Sequence, residues 1–422
     1  MQARSPVALY VHVPFCLSLC PYCDFVVYTG RDAHGPASMV DAFVRALLVE
    51  LDLRADALEE RFGAARAALT SVYLGGGTPS LLPAAVIRGL LERVDRRFGI
   101  APGAEVTMES NPGAGDRGDL AGFRAAGVNR LSLGVQSLDP SELKRLGRRH
   151  GPDDVADAMA AARAAGFEDV SLDLLYDIPG QTVGSWEATI EGAIGLVPDH
   201  ISAYALTLDD PEAESLTGPT GDHLPLRSGA RAWRGRARRE QDEDMAAELY
   251  ALAMARLAAA GYVGYELSNW ARPGRECRHN LAYWQREPYE AVGPGAHASD
   301  GALERRWNAA RLEGYLAALL ARDGSQAELP PGGRETLDGA TARAEGVILG
   351  LRMTSGVDEA LISDPLLAPG LAWGLQARLL ECGSARIRLS ESGRLLSNEI
   401  FLRLLPDAAP GTSSPVATEA AA

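Results

Sequence analysis

The chain has 422 residues, 46 % hydrophobic and 23 % charged, enough for a large α/β body with a smaller second domain and incompatible with a chain dominated by disorder. Its 41 Lys+Arg stand against 56 Asp+Glu, a formal net charge of −15, which disfavours nucleic-acid partners because duplex affinity rests on neutralised phosphates. Lys144 is the sole lysine, which removes most Schiff-base chemistry; no apolar run approaches the ~20 residues of a membrane span and Met1 to Pro6 lack a signal pattern, so a cytoplasmic protein with no integral membrane segment is expected.

After an N-terminal extension (residues 1–6), residues 7–210 repeat a short β-branched run, a Gly or polar break and an Ala/Leu/Arg stretch of helical spacing. The runs are Val7 to Val13, Ser71 to Leu74, Glu105 to Met108, Arg130 to Val135, Val170 to Leu175 and His200 to Leu206. Alternating strands and helices give βαβ units and a parallel sheet, either doubly wound or a partial (β/α)6 barrel. Polar residues at or near every strand end favour the barrel, whose C-terminal strand ends share one mouth: Cys16, Cys20 and Cys23, then Gly75-Gly76-Gly77-Thr78, Glu109, Gln136, Asp173 and Tyr204.

Residues 211–245, rich in Pro, Gly, Arg and Glu, predict a surface insertion. Residues 246–308 extend the barrel with a helix from about Met245 to Ala260 and a motif-dense loop from Tyr262 to Ser299. From 309 to 405 the spacing is helical, ending in strand-like pieces at Ala385 to Ser390 and Gly393 to Leu396 and a helix from Asn398, the order of a winged-helix-like domain. Residues 406–422 predict a disordered tail.

Five cysteines, three of them in Cys16-x3-Cys20-x2-Cys23 directly after a strand, suit metal ligation in a reducing compartment. Three thiolates on one loop would hold a 4Fe-4S cluster and leave one iron open. The alternative is tetrahedral zinc, with His12 or Cys277 as fourth ligand. Cys382, isolated in a helical stretch, is expected to serve packing.

The C-x3-C-x2-C loop with Tyr22 before its last Cys resembles the radical S-adenosylmethionine (SAM) superfamily. Together with Tyr10-Val11-His12-Val13-Pro14-Phe15-Cys16, Gly75 to Ser80, Glu109-Ser110-Asn111-Pro112-Gly113, Leu131 to Ser137, Asp173 to Tyr176 and Pro179-Gly180-Gln181-Thr182, it is similar to the branch of oxygen-independent coproporphyrinogen III oxidase and its relatives over roughly residues 7 to 405. The resemblance implies that SAM chelates the free iron and that an electron from the cluster, supplied by a donor such as flavodoxin or ferredoxin, cleaves it to methionine and a 5′-deoxyadenosyl radical. It further implies that Tyr10, Gly76, Gly77 and Thr78 line the methionine end, Glu109 the amino group, Gln136, Arg148 and Asp173 the ribose and carboxylate, and Tyr22 and Ala205 the adenine. The glycines would let backbone approach closely. The local alternatives are that Glu109 caps the Asn111-Pro112 turn and that Arg148, near Arg145 and Arg149, lies on a solvated face.

The sequence departs from the oxidases at Phe25, where they carry a further Cys, and at Asp177, where the family usually has Gly. His279-Asn280-x-x-Tyr283-Trp284 resembles the H-N-x-x-Y-W signature of the heme-chaperone branch, which implies heme contact by His279, Tyr283 and Trp284; Cys277 would be an extra ligand or an inert thiol. The expectation is a protein binding cluster, SAM and heme or another tetrapyrrole that hands heme to an acceptor protein. The alternatives are a coproporphyrinogen III oxidase and a radical-SAM scaffold acting through its C-terminal domain.

Overall fold

A computed structural model describes residues 4–35, 37–320 and 326–406; the tail expected from 406 onward lies, apart from Pro406, outside the described residues, as do residues 1–3 of the N-terminal extension. The six predicted runs are strands β1 (Ala8–Val13), β2 (Leu69–Gly76), β3 (Ile100–Ser110), β4 (Arg130–Gln136), β5 (Asp169–Tyr176) and β6 (His200–Ala205), paired in parallel in sequence order. They are largely buried because helices cover the outer face of the sheet. The helix Val40–Phe62, for example, sinks Phe43, Leu47, Leu51 and Leu58 into the same core as Val72, Leu74 and Met108.

The sheet continues beyond both ends of this set. β6 pairs antiparallel with β8 (Asn269–Ala271), which carries β7 (Val263–Gly264). On the other side β1 pairs in parallel with β9 (Tyr289–Val292), followed by antiparallel β10 (His297–Ser299), β11 (Glu304–Asn308) and β12 (Gly332–Thr336). The stretch expected as a loop from Tyr262 to Ser299 therefore holds four short strands and the helix Arg278–Trp284. Strands of two to four residues are too short to show an alternating pattern.

The second hydrophobic cluster gathers Ala344, Leu351, Leu371, Ile387 and Ile400 from the helices Gly339–Arg352, Ala368–Gln376 and Ser397–Leu404 and a three-stranded antiparallel sheet, β13 (Val357–Asp358), β14 (Leu380–Gly383) and β15 (Arg386–Leu389), in the order β13-β15-β14. The strand piece expected at Ala385 to Ser390 is β15, but its hairpin partner lies upstream. Gly393 to Leu396 falls mainly in the helix Glu391–Leu395, whose first turn is capped by the Ser390 hydroxyl accepting from Gly393 N at 3.0 Å. Cys382 is exposed on β14 rather than packed in a helix. The helix Leu312–Leu319 and β12 join the large body, so the small one begins near residue 339.

One buried ionic network ties the helix Val40–Phe62 to the β9–β11 side. Glu50 is fully buried; its Oε1 accepts from Arg54 Nε at 3.3 Å and Asn308 Nδ2 at 2.7 Å, and its Oε2 from Gly293 N at 2.9 Å and Tyr315 OH at 2.8 Å. Removing one partner strands the others without water. Glu50→Ala is expected to lower the unfolding free energy by about 3–5 kcal/mol, read as a lower midpoint in chemical denaturation; a loss below about 1 kcal/mol would show that the network carries little of the packing.

Candidate functional site

The site begins where β1 and β2 end side by side. In the register His12↔Gly75 and Val13↔Gly76 the two strands stay paired to their tips, and the backbone then adds Gly77 N to Val13 O at 2.9 Å and Thr78 N to Phe15 O at 2.8 Å. No side chain fits between them. A Cβ on Gly76, whose φ is +101°, would meet the His12 ring at 2.2 Å, and one on Gly77 would meet Val13 O at 2.7 Å. The glycines are thus required by the close approach of β1 itself. His12 fills the space: its Nε2 donates to Val26 O at 2.9 Å, so its Nδ1 accepts from Tyr10 OH at 3.0 Å, and burial pushes its pKa down to about 4.

The cysteine loop leaves from this junction and returns to it, closed by Tyr28 N to Pro14 O at 2.6 Å and Cys16 N to Tyr28 O at 3.1 Å. All three thiols are half-buried. Thr78 Oγ1 accepts from Asn111 Nδ2 at 3.1 Å, which leaves its proton for Cys16 Sγ at 3.2 Å, and Arg148 Nη1 lies 3.7 Å from Cys20 Sγ. Burial pushes Cys16 up to about 12 and Cys23 well above the ordinary thiol value, with neighbouring thiols adding to both shifts. Ionising these sulfurs therefore calls for a cation between them.

The segment expected as a surface insertion instead braces this loop. Arg234, on the helix Ser228–Ala237, is 2 % exposed and donates to the carbonyls of Pro21 at 3.1 Å, Tyr22 at 2.9 Å, Cys23 at 3.0 Å and Asp209 at 2.6 Å while pairing with Asp24 at 2.5 Å. Five acceptors on one guanidinium fix the backbone through which the thiols are presented. Sequence reasoning missed Arg234 because it lies among many arginines and its partners are main-chain carbonyls.

Across the mouth, Glu109 accepts from Tyr73 OH at 3.0 Å and Gly76 N at 2.9 Å rather than capping a turn. Burial, then the charge of Asp173, raises its pKa to about 7 against those two hydrogen bonds. Asp173 accepts from Ser132 Oγ at 2.7 Å and Ser202 Oγ at 2.9 Å, and burial raises its pKa too. Arg148 is half-buried, not on a solvated face: its Nη2 donates to Gly134 O at 2.7 Å and also to Asn111. Gln136 has a φ of +62° at the end of β4, and its Oε1, like Arg148 Nε, is buried without a partner among the described residues. Tyr10 and Tyr22 are half-buried and Ala205 is exposed at the end of β6. Tyr73, Ser132 and Ser202 were not singled out by sequence; each sits on a strand at an inward position that periodicity marks without naming its chemistry. Asp177, where the resemblance leads one to expect glycine, has a left-handed backbone with a φ of +60°.

The residues fit a cluster with SAM. Two carboxylates of raised pKa, an uncommitted amide oxygen and an uncommitted guanidinium N–H face a mouth beside three free thiols, which matches an ammonium, a carboxylate and ribose hydroxyls. Among the described residues no three His, Cys, Asp or Glu gather around one metal ion, whereas a cluster spreads its thiolates over separate irons. Neither residue considered as a fourth zinc ligand is available. Both His12 nitrogens are engaged, and Cys277 is buried against Glu105, its Sγ donating at 3.4 Å.

The helix Arg278–Trp284 lies under the barrel, where a loop was expected. His279 is fully buried and stacks on Tyr73 with centroids 5.1 Å apart; its Nδ1 pairs with Ser71 Oγ at 3.0 Å and its Nε2 with Tyr283 OH at 2.8 Å, and burial pushes its pKa down to about 3. The Arg352 guanidinium covers the Trp284 ring at 4.4 Å. The motif closes the barrel floor, one layer beneath Glu109.

Residues 10–193 match the Radical SAM superfamily. The chain is 38 % identical over 408 residues to the heme chaperone HemW of Mycobacterium tuberculosis, covering 95 % of each chain, and 35 % identical over 322 residues to that of Escherichia coli, covering 75 % and 77 %. The solved structure of coproporphyrinogen III oxidase (HemN) from Escherichia coli, a radical SAM enzyme, is similar in fold, with a TM-score of 0.76 at 24 % identity over 96 % of this chain and 91 % of that one. A barrel-type α/β fold with these strand-end residues, and relatives this alike over nearly the whole length, lead to one conclusion: the chain belongs to the radical SAM superfamily and, within it, to the family of the HemW heme chaperones.

Proposed function

We propose that this protein holds a 4Fe-4S cluster on Cys16, Cys20 and Cys23, binds SAM across the mouth and carries heme to an acceptor protein. The observation that carries the first part is the set of three thiols braced by Arg234 beside Glu109 and Asp173, whose pKa values are raised, and the unpartnered Gln136 Oε1 and Arg148 Nε. The relatives named as heme chaperones support the second.

When bound, the cluster and SAM supply one-electron chemistry at the sulfonium. The chain's own residues bind and orient. Glu109 and Asp173 offer carboxylates to the SAM amino and ribose groups, Arg148 and Gln136 offer a donor and an acceptor, and Tyr10, Gly76, Gly77 and Thr78 form the wall at the methionine end, with Tyr22 and Ala205 on the adenine side. Phe25, 42 % exposed where the oxidases carry a further Cys, favours a chaperone over a decarboxylase. Heme contact by His279, Tyr283 and Trp284 would require the helix Arg278–Trp284 to swing out of the barrel floor, since both His279 nitrogens are engaged.

Anaerobic reconstitution is expected to give a brown protein with about four iron and four sulfide per chain, lost in Cys16→Ala; zinc without iron would refute the cluster. SAM affinity should fall as pH drops through about 7, because Glu109 then takes a proton and loses the charge that holds the ammonium. By calorimetry, Glu109→Gln should bind SAM about tenfold more weakly at pH 8 and lose that pH dependence; an unchanged profile would remove Glu109 from the site. Incubated with coproporphyrinogen III, SAM and a reductant, the reconstituted protein is expected to yield no protoporphyrinogen, and steady formation of it would restore the oxidase reading.

A further inference from the structure

A heme chaperone needs a group that can reach the iron. Of the seven histidines, His12, His150, His200 and His279 are buried. His12, His200 and His279 have both ring nitrogens engaged, and His150 Nε2 pairs with Val135 O at 3.0 Å. His34 is exposed on a loop. The remaining two share one carboxylate. Asp222 accepts from His223 Nδ1 at 2.9 Å through Oδ1 and from His297 Nε2 at 2.9 Å through Oδ2.

This arrangement has the chemistry of a prepared metal ligand. An imidazole that gives its Nδ1–H to a buried carboxylate is locked in orientation with its Nε2 lone pair outward, and the carboxylate makes that nitrogen more basic. The Asp222 side chain is 11 % exposed and that of His223 28 %. Burial pushes Asp222 up, and the two imidazole hydrogen bonds outweigh it, holding the carboxyl below its usual range. No partner for His223 Nε2 exists among the described residues.

An aromatic stack borders this pair next to the cluster loop. His297 stacks on the Trp307 ring with centroids 5.9 Å apart and planes at 23°, and Trp307 Nε1 donates to Thr220 O at 3.0 Å, two residues before Asp222. The Asp222 carbonyl and the Val26 side chain crowd the same glycine, Gly295, where a Cβ would lie 3.0 and 2.5 Å from them. Exposed Phe25 directly precedes Val26. Such a site needs no second protein ligand, because the porphyrin supplies four nitrogens and one axial imidazole completes the attachment.

We propose that His223, oriented by Asp222 and flanked by the His297–Trp307 stack, is the axial ligand to heme iron, so that heme docks beside the cluster loop while His279 remains in the barrel floor. The ligation involves no redox step: neutral Nε2 donates its lone pair to iron, displacing a weak ligand such as water.

The inference rests on the heme-binding reading, and the test separates the two. The full-length protein is titrated with hemin and followed by Soret absorbance and electron paramagnetic resonance, using wild type, His223→Ala, His223→Gln, Asp222→Asn, His279→Gln and His34→Ala. Wild type, His34→Ala and His279→Gln are expected to show a single imidazole-ligated heme. His223→Ala and His223→Gln should bind at least about tenfold more weakly and lose the imidazole signature, which free imidazole restores in His223→Ala, and Asp222→Asn should bind about tenfold more weakly. If wild type fails to bind hemin, the heme reading itself falls. If wild type binds and both His223 variants keep its spectrum and affinity, or only His279→Gln loses them, the axial assignment is overturned while heme binding stands.

Discussion

The contact on which the rest of the molecule depends is the pairing of β1 with β2 out to their last residues. Parallel strands usually splay at their ends, leaving space for loops. Here Gly76 and Gly77 let β2 run directly beneath β1, and two further backbone hydrogen bonds carry the pairing past both strand tips. The cysteine loop therefore starts from an immobile base, with Thr78 beneath Cys16 and Arg148 beside Cys20. Any side chain at Gly76 would displace His12, and with it the Tyr10 hydroxyl and the Val26 carbonyl that the ring joins. The same contact thus orders the cluster loop, one wall of the mouth and the segment leading to Asp222.

Electrostatically the mouth is incomplete as a protein surface. The charge of Asp173 adds to burial in raising the proton affinity of Glu109, and burial holds the Cys16 and Cys23 thiols opposite neutral. Arg148 lies beside the thiols, its guanidinium shared with Asn111, Gly134 and Cys20, while the charge of Arg130 works against the burial of Asp173. A ligand bringing a cation to the thiols and an ammonium to the carboxylates would stabilise such a site. By contrast, the His279 ring on the floor has both nitrogens hydrogen-bonded. His279 is enclosed by Ser71, Tyr73 and Tyr283, which makes that layer a support for the mouth above it.

The barrel was legible in the sequence because each parallel strand is a buried β-branched run followed by a break, a pattern that survives without tertiary information. Strands β2 to β5 extend beyond the predicted runs, as in β3, which begins at Ile100 rather than Glu105, its first half bending through exposed Gly103. The cysteines, glycines, Glu109 and Asp173 were legible as motifs at strand ends. The added strands β7 to β12 were not, since each owes its conformation to a neighbour's edge rather than to its own residues. Arg234 and Asp222 lie in a stretch whose polar composition reads as solvated surface; their roles arise from which carbonyls and imidazoles the fold sets against them. The β14–β15 hairpin slipped in the reading because Ala385 and Ser384 both take left-handed backbone at the turn, where glycine or asparagine is the usual signal.

The central claim is that the cysteine loop presents a cluster with one iron open to the amino acid end of SAM. Electron–nuclear double resonance on the reduced, reconstituted protein tests it most directly, with SAM labelled by nitrogen-15 at the amino group and oxygen-17 at the carboxylate. The expected result is a hyperfine coupling from both labels to the cluster. A cluster signal identical with and without labelled SAM would contradict the account.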